Sequence, residues 1–559
     1  MRNLTIACGL ATMLLLAGCG EEISGDLPID DATVRAAEAL SGLDLTQAER
    51  TMMLEDLAES RQAYRGLRGM EIPNAVPPAL RFDPLTARTG LREGPATGPA
   101  PVWSPAPEVT RPDDLDDLAF ATIGELAELI RTRRVSCLEL TELALDRLRR
   151  HGPDLECVVT LTEGRALRRA RELDRMLDRG EYLGPLHGIP YGAKDLLAVR
   201  GYPTTWGARP YRNRILNGDA TVVEKLDQAG AVLVAKLTLG ALAWGDVWFG
   251  GTTRNPWNLE QGSSGSSAGP ASAVAAGLVP FAIGSETWGS IVSPSTRCGT
   301  TGLRPTFGRV SRQGAMALSW SMDKIGPMAR TVEDCAIVFD AIEGIDPADP
   351  TTVDRPFPYR PDRPLQDLRI GYLRSVFNEE YDWHTLHSEA LDDLRRAGAR
   401  LVPVELPGNR DLGTDIYNLS FILSAEAGAA FQDLVLSDRD DELVRQVRNA
   451  WPNVFRHAQF IPAVEYIQAN RARVRLMELM AGVFDEIDVY VTPSFLGDNL
   501  LITNLTGHPQ VVVPCGFETE NAPTSISFVG RLYGEADVLA VAKAYQDATG
   551  WHRMHPPGF

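Results

Sequence analysis

The stretch from Asn255 to Gly314, "NPWNLEQGSSGSSAGPASAVAAGLVPFAIGSETWGSIVSPSTRCGTTGLRPTFGRVSRQG", constrains the fold more than any other part of this chain. Its clustered Gly and Ser make a loop whose backbone approaches other groups closely. The small-residue run "PASAVAAGL" reads as a helix whose N-terminus directs partial positive charge back at that loop. A flexible linker is disfavoured, because linkers do not run straight into buried helix and strand patterns on both sides. Such a loop suits a nucleophile or an oxyanion. Within it, "GSETWGS" carries Glu286 and Trp288, which stand out against their surroundings, and ends on Ser290.

Gly265-Ser266-Ser267-Ala268-Gly269 satisfies the Gly-x-Ser-x-Gly spacing of the α/β-hydrolase nucleophile elbow, which would make Ser267 the nucleophile. That elbow needs a strand directly before it. The preceding "TRNPWNLEQG" is polar and carries Pro256, which argues against a central strand, and the elbow reading is set aside.

Basic usage is lopsided, with 50 Arg against five Lys: Lys194, Lys225, Lys236, Lys324 and Lys543. A buried lysine gives up its proton where an arginine does not, so a lysine here invites a chemical reading; chance retention accounts for four of the five. The formal net charge of −19 argues against a nucleic-acid partner, since phosphate binding is driven by clustered cations. Beyond Cys8 and Cys19, the five cysteines Cys137, Cys157, Cys298, Cys335 and Cys515 are odd in number, widely spread and apolar in setting. They suggest no disulfide framework, though one bridge is compatible with an oxidising compartment. No Cys-x-x-Cys or His-Glu-x-x-His occurs, and no metal site is expected; His384 and His387, at i, i+3, read as a solvated helix face.

The chain opens with one Arg, an apolar run from Leu4 to Ala17 and then small residues, which reads as a secretory leader, too short for a spanning helix. Leu16-Ala17-Gly18-Cys19 resembles the bacterial lipobox, in which the cysteine is lipidated and becomes the new N-terminus. The expectation is an exported protein with leader 1–18, lipid-anchored to the cell envelope through Cys19. Gly20 points to the periplasmic face of the outer membrane, by resemblance to proteobacterial lipoproteins. An ordinary secreted protein is the alternative.

Residues 19–117 read as a helical and proline-rich extension without visible chemistry, and 118–556 as one domain. "TIGELAELIRTRRVS" and "SCLELTELALDRLRRHGP" each open with a capping box, Thr122 with Glu125 and Ser136 with Glu139, and the second helix is expected to end at Gly152-Pro153. Strand-like "ECVVTL" and "AGAVLVAKL" flank helical "TEGRALRRARELDRML"; a loop at 346–365 leads to strand-like "LRIGYL", "IDVYVTP" and "PQVVVPCGF". This is an α/β pattern with a mixed sheet.

These motifs resemble the amidase signature family. Its members show a Gly-Ser-Ser-Gly-Gly-like loop, a small-residue helix, and a Gly-Thr/Ser-Asp/Glu-x-Gly-Ser-Ile turn, with two serines 24 residues apart, as Ser266 and Ser290 are here. The family lysine lies in Gly-x-Pro-x-x-x-Lys-Asp, matched by "GIPYGAKD" with Lys194. The similarity runs from about residue 118 to 556, through "LRPTFGRVSRQG" and "NLTGHPQVVVPCGF". It implies a twisted mixed β-sheet flanked by helices, and hydrolysis of carbon–nitrogen amide bonds without metal or organic cofactor. It also implies a triad: neutral Lys194 as base, Ser266 after a cis Gly265–Ser266 bond as relay, and Ser290 as nucleophile of an acyl-enzyme. Ser267 lies outside this relay. The N–H groups of Thr287, Trp288, Gly289 and Ser290 would form the oxyanion hole, worth roughly 3–4 kcal/mol per donor in comparable hydrolases.

Departures from the family pattern at Ala268, Trp288 and Val292, where many members carry Gly, Gly or Asp, and Arg, imply an uncharged, partly apolar acyl group rather than a carboxylate-bearing one. Trp288 reads equally as core packing. The expected partner is a small-molecule amide or short peptide amide, with membrane attachment by the lipid anchor alone. The export signal disfavours the synthetic role of the glutamyl-tRNA amidotransferases, which work with partner proteins in the cytoplasm. An ester-preferring hydrolase and an inactive lipid-anchored binding protein are the alternatives.

Overall fold

The computed structural model describes residues 28–41, 43–68, 98–517, 519 and 522–559. The leader and Cys19 lie outside these residues, as does 69–97 of the extension.

One 11-stranded mixed sheet organises the domain. In chain order its strands are β1 (Val158–Leu161), β2 (Pro190–Lys194), β3 (Val232–Leu237), β4 (Phe281–Glu286), β5 (Thr301–Arg304), β6 (Lys324–Ala329), β7 (Ile370–Leu373), β8 (Leu401–Val404), β9 (Val489–Pro493), β10 (Gln510–Phe517) and β11 (Pro523–Gly530). Their spatial order is β1-β3-β2-β4-β6-β5-β10-β11-β9-β7-β8. The β3–β2–β4 and β9–β7–β8 neighbours run parallel, and the pairs between and beyond them antiparallel. β2, β3 and β6 are buried at every position, as strands covered by helices on both faces must be.

Helices α1 (Asp31–Ser41) and α2 (Gln47–Arg68) belong to the extension, and α3 (Ile123–Arg131) and α4 (Cys137–Leu155) open the domain on the two expected capping boxes. α4 runs past Gly152-Pro153 to Leu155 instead of ending there. A proline clashes with the Cβ of the residue before it, and Gly152 has none, so the helix continues until Glu156 turns left-handed. α5 (Glu163–Asp178) and α6 (Thr221–Gln228) pack beside β3. "TRNPWNLEQG" forms a short two-stranded hairpin apart from the central sheet.

His387 is buried rather than solvated. It shares a helix face with buried Ala390, Leu391 and Leu394, and its ring nitrogens lie 3.3 Å from the Tyr381 hydroxyl and 3.4 Å from that of Thr524. Burial lowers its pKa to about 4. The five cysteines of the domain are all buried and free. No described helix is long and apolar enough to cross a membrane.

Candidate active site

Lys194 is the last residue of β2, and the parallel register that sets Ala193 opposite Ile283 brings it beside the end of β4. Its Nζ lies 2.8 Å from Ser266 Oγ, 3.0 Å from Ser267 Oγ, and 2.9 and 3.3 Å from the hydroxyl and carbonyl oxygens of Ser285. No carboxylate pairs with it among the described residues, and its side chain is fully buried. Burial pushes the ammonium well below the ordinary lysine range, with Asp323 and Glu286 pulling weakly the other way.

The serine shell gives that nitrogen a direction. Ser267 Oγ donates to the Ser285 carbonyl at 3.0 Å and accepts the Ser285 N–H at 3.1 Å, so its one hydrogen is committed and it faces Lys194 as an acceptor. A neutral amine here spends its two hydrogens on Ser267 and Ser285 and turns its lone pair to Ser266. Ser267 therefore touches the lysine as an acceptor, a contact the sequence reading did not anticipate; a Gly/Ser run carries no sign of which hydroxyl turns inward.

The loop ahead of helix α7 (Ala268–Ala275) carries Ser266 and Ser267, and the Gly265–Ser266 peptide bond is cis. A Cβ on Gly265 would collide with the Gly245 carbonyl oxygen, so no other residue fits. The turn 287–290 approaches from the opposite side, with Gly289 at φ +83°, a conformation glycine adopts without strain. The Ser290 carbonyl accepts the Ser267 N–H at 3.1 Å, fastening loop to turn. Among the described residues, the N–H groups of Thr287, Trp288, Gly289 and Ser290 have no hydrogen-bond partner in loops or turns. These four residues line a cavity of about 1210 Å³ that also reaches Gly265, while Lys194 and Ser266 lie buried behind it.

Glu286 explains the charge in "GSETWGS". Its carboxylate accepts the N–H groups of Ile291 at 2.8 Å and Val292 at 3.0 Å, at the start of helix α8 (Val292–Cys298), and pairs with Arg304 at 2.7 Å and Asn504 at 2.8 Å. Burial raises its pKa, but the Arg304 guanidinium and these hydrogen bonds outweigh that and hold it at about 2. Beside it, the Thr287 hydroxyl donates to Asp323 at 2.5 Å, and Asp323 also receives the N–H groups of Leu318 and Ser319. Trp288 packs on Tyr417, ring centroids 5.6 Å apart, and lines the cavity too, so it serves both of its readings.

The lysine imbalance reflects burial more widely than chance retention allows, since Lys236 and Lys324 are buried as well as Lys194. Lys236 pairs with Asp195 at 2.6 Å, and Lys324 donates to the Met322 carbonyl.

The sequence model of the family described as Amidase matches residues 139–499. The chain is 36% identical to a subunit of the glutamyl-tRNA(Gln) amidotransferase of Methylococcus capsulatus, covering 78% of this chain and 99% of that one. The corresponding Geobacillus kaustophilus protein is 32% identical, with 78% and 98% covered. Among solved structures, the peptide amidase of Stenotrophomonas maltophilia superposes with a TM-score of 0.68 at 30% identity, covering 79% of this chain and 99% of that one. A matched family model, relatives aligned over nearly their whole length and a shared mixed-sheet fold lead to one conclusion: the chain belongs to the amidase family and is a carbon–nitrogen amide hydrolase.

Proposed function

We propose that the protein hydrolyses linear carboxylic amides through an acyl-enzyme, with Ser290 as nucleophile, Ser266 as proton relay and Lys194 as base. The observation that carries this is the 2.8 Å contact between a carboxylate-free, buried Lys194 and Ser266, behind a cavity that reaches Ser290. Neutral Lys194 takes the Ser266 proton as Ser266 takes that of Ser290, and Ser290 Oγ bonds to the carbonyl carbon. The oxygen gathers charge beside the free N–H groups of 287–290. The proton returns through Ser266 to the leaving nitrogen as the C–N bond breaks, and water repeats the sequence to release the acid.

The substrate is a small amide or short peptide amide, a reading favoured by the likeness to a peptide amidase. Uncharged Trp288, beside Ser290 on the cavity wall, suits an uncharged acyl group. Relatives named as components of an amidotransferase favour a second reading, in which a partner protein takes the released ammonia. The test is fluorophosphonate labelling with peptide mapping, then a panel of amides, peptide carboxamides and esters. Label on Ser290 with amide turnover supports the proposal; turnover of esters alone favours an esterase, and no labelling favours a binding protein.

The same proposal places the enzyme at the cell envelope through lipidated Cys19. In a Gram-negative host the wild type should sediment with membranes, and Cys19→Ala should not. Equal solubility and identical mature N-termini would remove the anchor.

A further inference from the structure

The extension holds no motif of its own, yet α2 lies against the helices Trp451–Ala458 and Ala463–Glu486, beside the reactive cavity. We propose that α2 is a wall of the substrate pocket and that its charge directs the enzyme to amides bearing a large, positively charged group remote from the scissile bond. This rests on the proposed function of Ser290 and specifies its substrate class.

Three observations support it. First, Asp56, Glu59, Ser60 and Ala63 of α2 line the same cavity as Ser290. Its volume of about 1210 Å³ exceeds what a simple aliphatic amide fills and matches the upper range of ligand pockets, roughly 1,000 Å³.

Second, α2 is clamped in place. Arg448 pairs with Asp56 and Glu59, each at 3.0 Å, and with Glu55 at 3.5 Å. Buried Arg456 reaches Glu49 at 2.9 Å, and Tyr64 meets Phe421 edge to face at 5.7 Å. Asn453 donates to Asp56 as well. A surface helix held by one exposed ion pair would gain little, but this set joins a buried guanidinium, an aromatic contact and a shared arginine.

Third, the lining is lopsided in charge. Among the described residues, Asp56, Glu59 and Asp415 face the cavity against the single guanidinium of Arg65. Arg448 offsets this in part, and the three lining carboxylates still outnumber Arg65 and Arg448 by one. The rings of Trp244, Tyr417, Phe421 and Trp451 line the same cavity and suit an apolar stem and a cation.

The test uses the full-length protein and amides matched in size that end in a quaternary ammonium, a tert-butyl group or a carboxylate. Wild-type kcat/KM should fall in that order. Glu59→Gln with Asp415→Asn should narrow the cation-to-anion ratio by about fourfold, the effect expected for two screened charges removed from the wall. Ala63→Trp should lower the ratio of kcat/KM for the large cationic amide to that for a small aliphatic amide by at least about tenfold, since a bulky ring in the wall obstructs only the larger substrate; Ser60→Trp replaces it should Ala63→Trp not fold. Ratios equal to wild type in folded variants overturn the proposal while leaving amide hydrolysis intact. Wild-type protein that neither labels at Ser290 nor turns over any amide removes both.

Discussion

Arg304 and Glu286 form a fully buried ion pair at 2.7 Å directly beneath the turn that carries Ser290. The second Glu286 oxygen holds the N–H groups of Ile291 and Val292, so the pair fixes the backbone on which the nucleophile and its oxyanion donors sit. Glu286→Gln leaves Arg304 uncompensated and should cost about 3–5 kcal/mol of stability, read as a lower denaturant midpoint. Unchanged stability and turnover would show the pair to be dispensable.

The same carboxylate sets an acid limit. Its pKa is about 2 in the fold against 4.5 for the free group, a depressed acid, so its contribution is complete above pH 4.5 and fades as pH falls toward 2. The shift corresponds to about 3 kcal/mol. Wild-type stability measured from about pH 6 to 3 should therefore drop more steeply than that of Glu286→Gln, on the same buffers.

Lys194→Arg separates a base from a mere charge. Arginine keeps its proton at any working pH, so turnover should fall by several orders of magnitude while the protein stays folded. Lys236 is unsuited as the control because it pairs with buried Asp195, and Lys543, paired with Asp547 on the surface, takes that place. Near-normal turnover by folded Lys194→Arg would end the proposed mechanism.

The pH–rate profile carries the same information in the wild type. A base works deprotonated, and burial holds Lys194 well below its usual 10.5, so kcat/KM should rise through an ionisation below that value and then stay level. A rate still climbing steeply at about pH 10 would mean that the lysine keeps its ordinary affinity for the proton.

Ser290→Ala should abolish fluorophosphonate labelling outright. Ser267→Ala should keep the label but slow turnover by about 10-fold or somewhat more, the cost of one lost hydrogen bond that orients Lys194. Label found on Ser267 would reverse the two roles.

The amino-acid sequence by itself determined several local elements and the family. Capping boxes mark the starts of α3 and α4, an apolar run marks buried β3, and the spacing of Lys194, Ser266 and Ser290 carries the resemblance, whereas buried β2 and β6 have no such run. These signals act through neighbouring residues or fixed intervals, which is why they can be read from one chain. The tertiary structure alone decided which serine hydroxyls face Lys194, that Glu286 pairs with Arg304 and Asn504, and that α2 walls the cavity. Asn504 stands 218 positions from Glu286, and Arg448 pairs with Glu55, Asp56 and Glu59, far earlier in the chain. Such contacts follow from packing in three dimensions, and a buried charge finds whichever partner the fold brings within reach, irrespective of sequence distance.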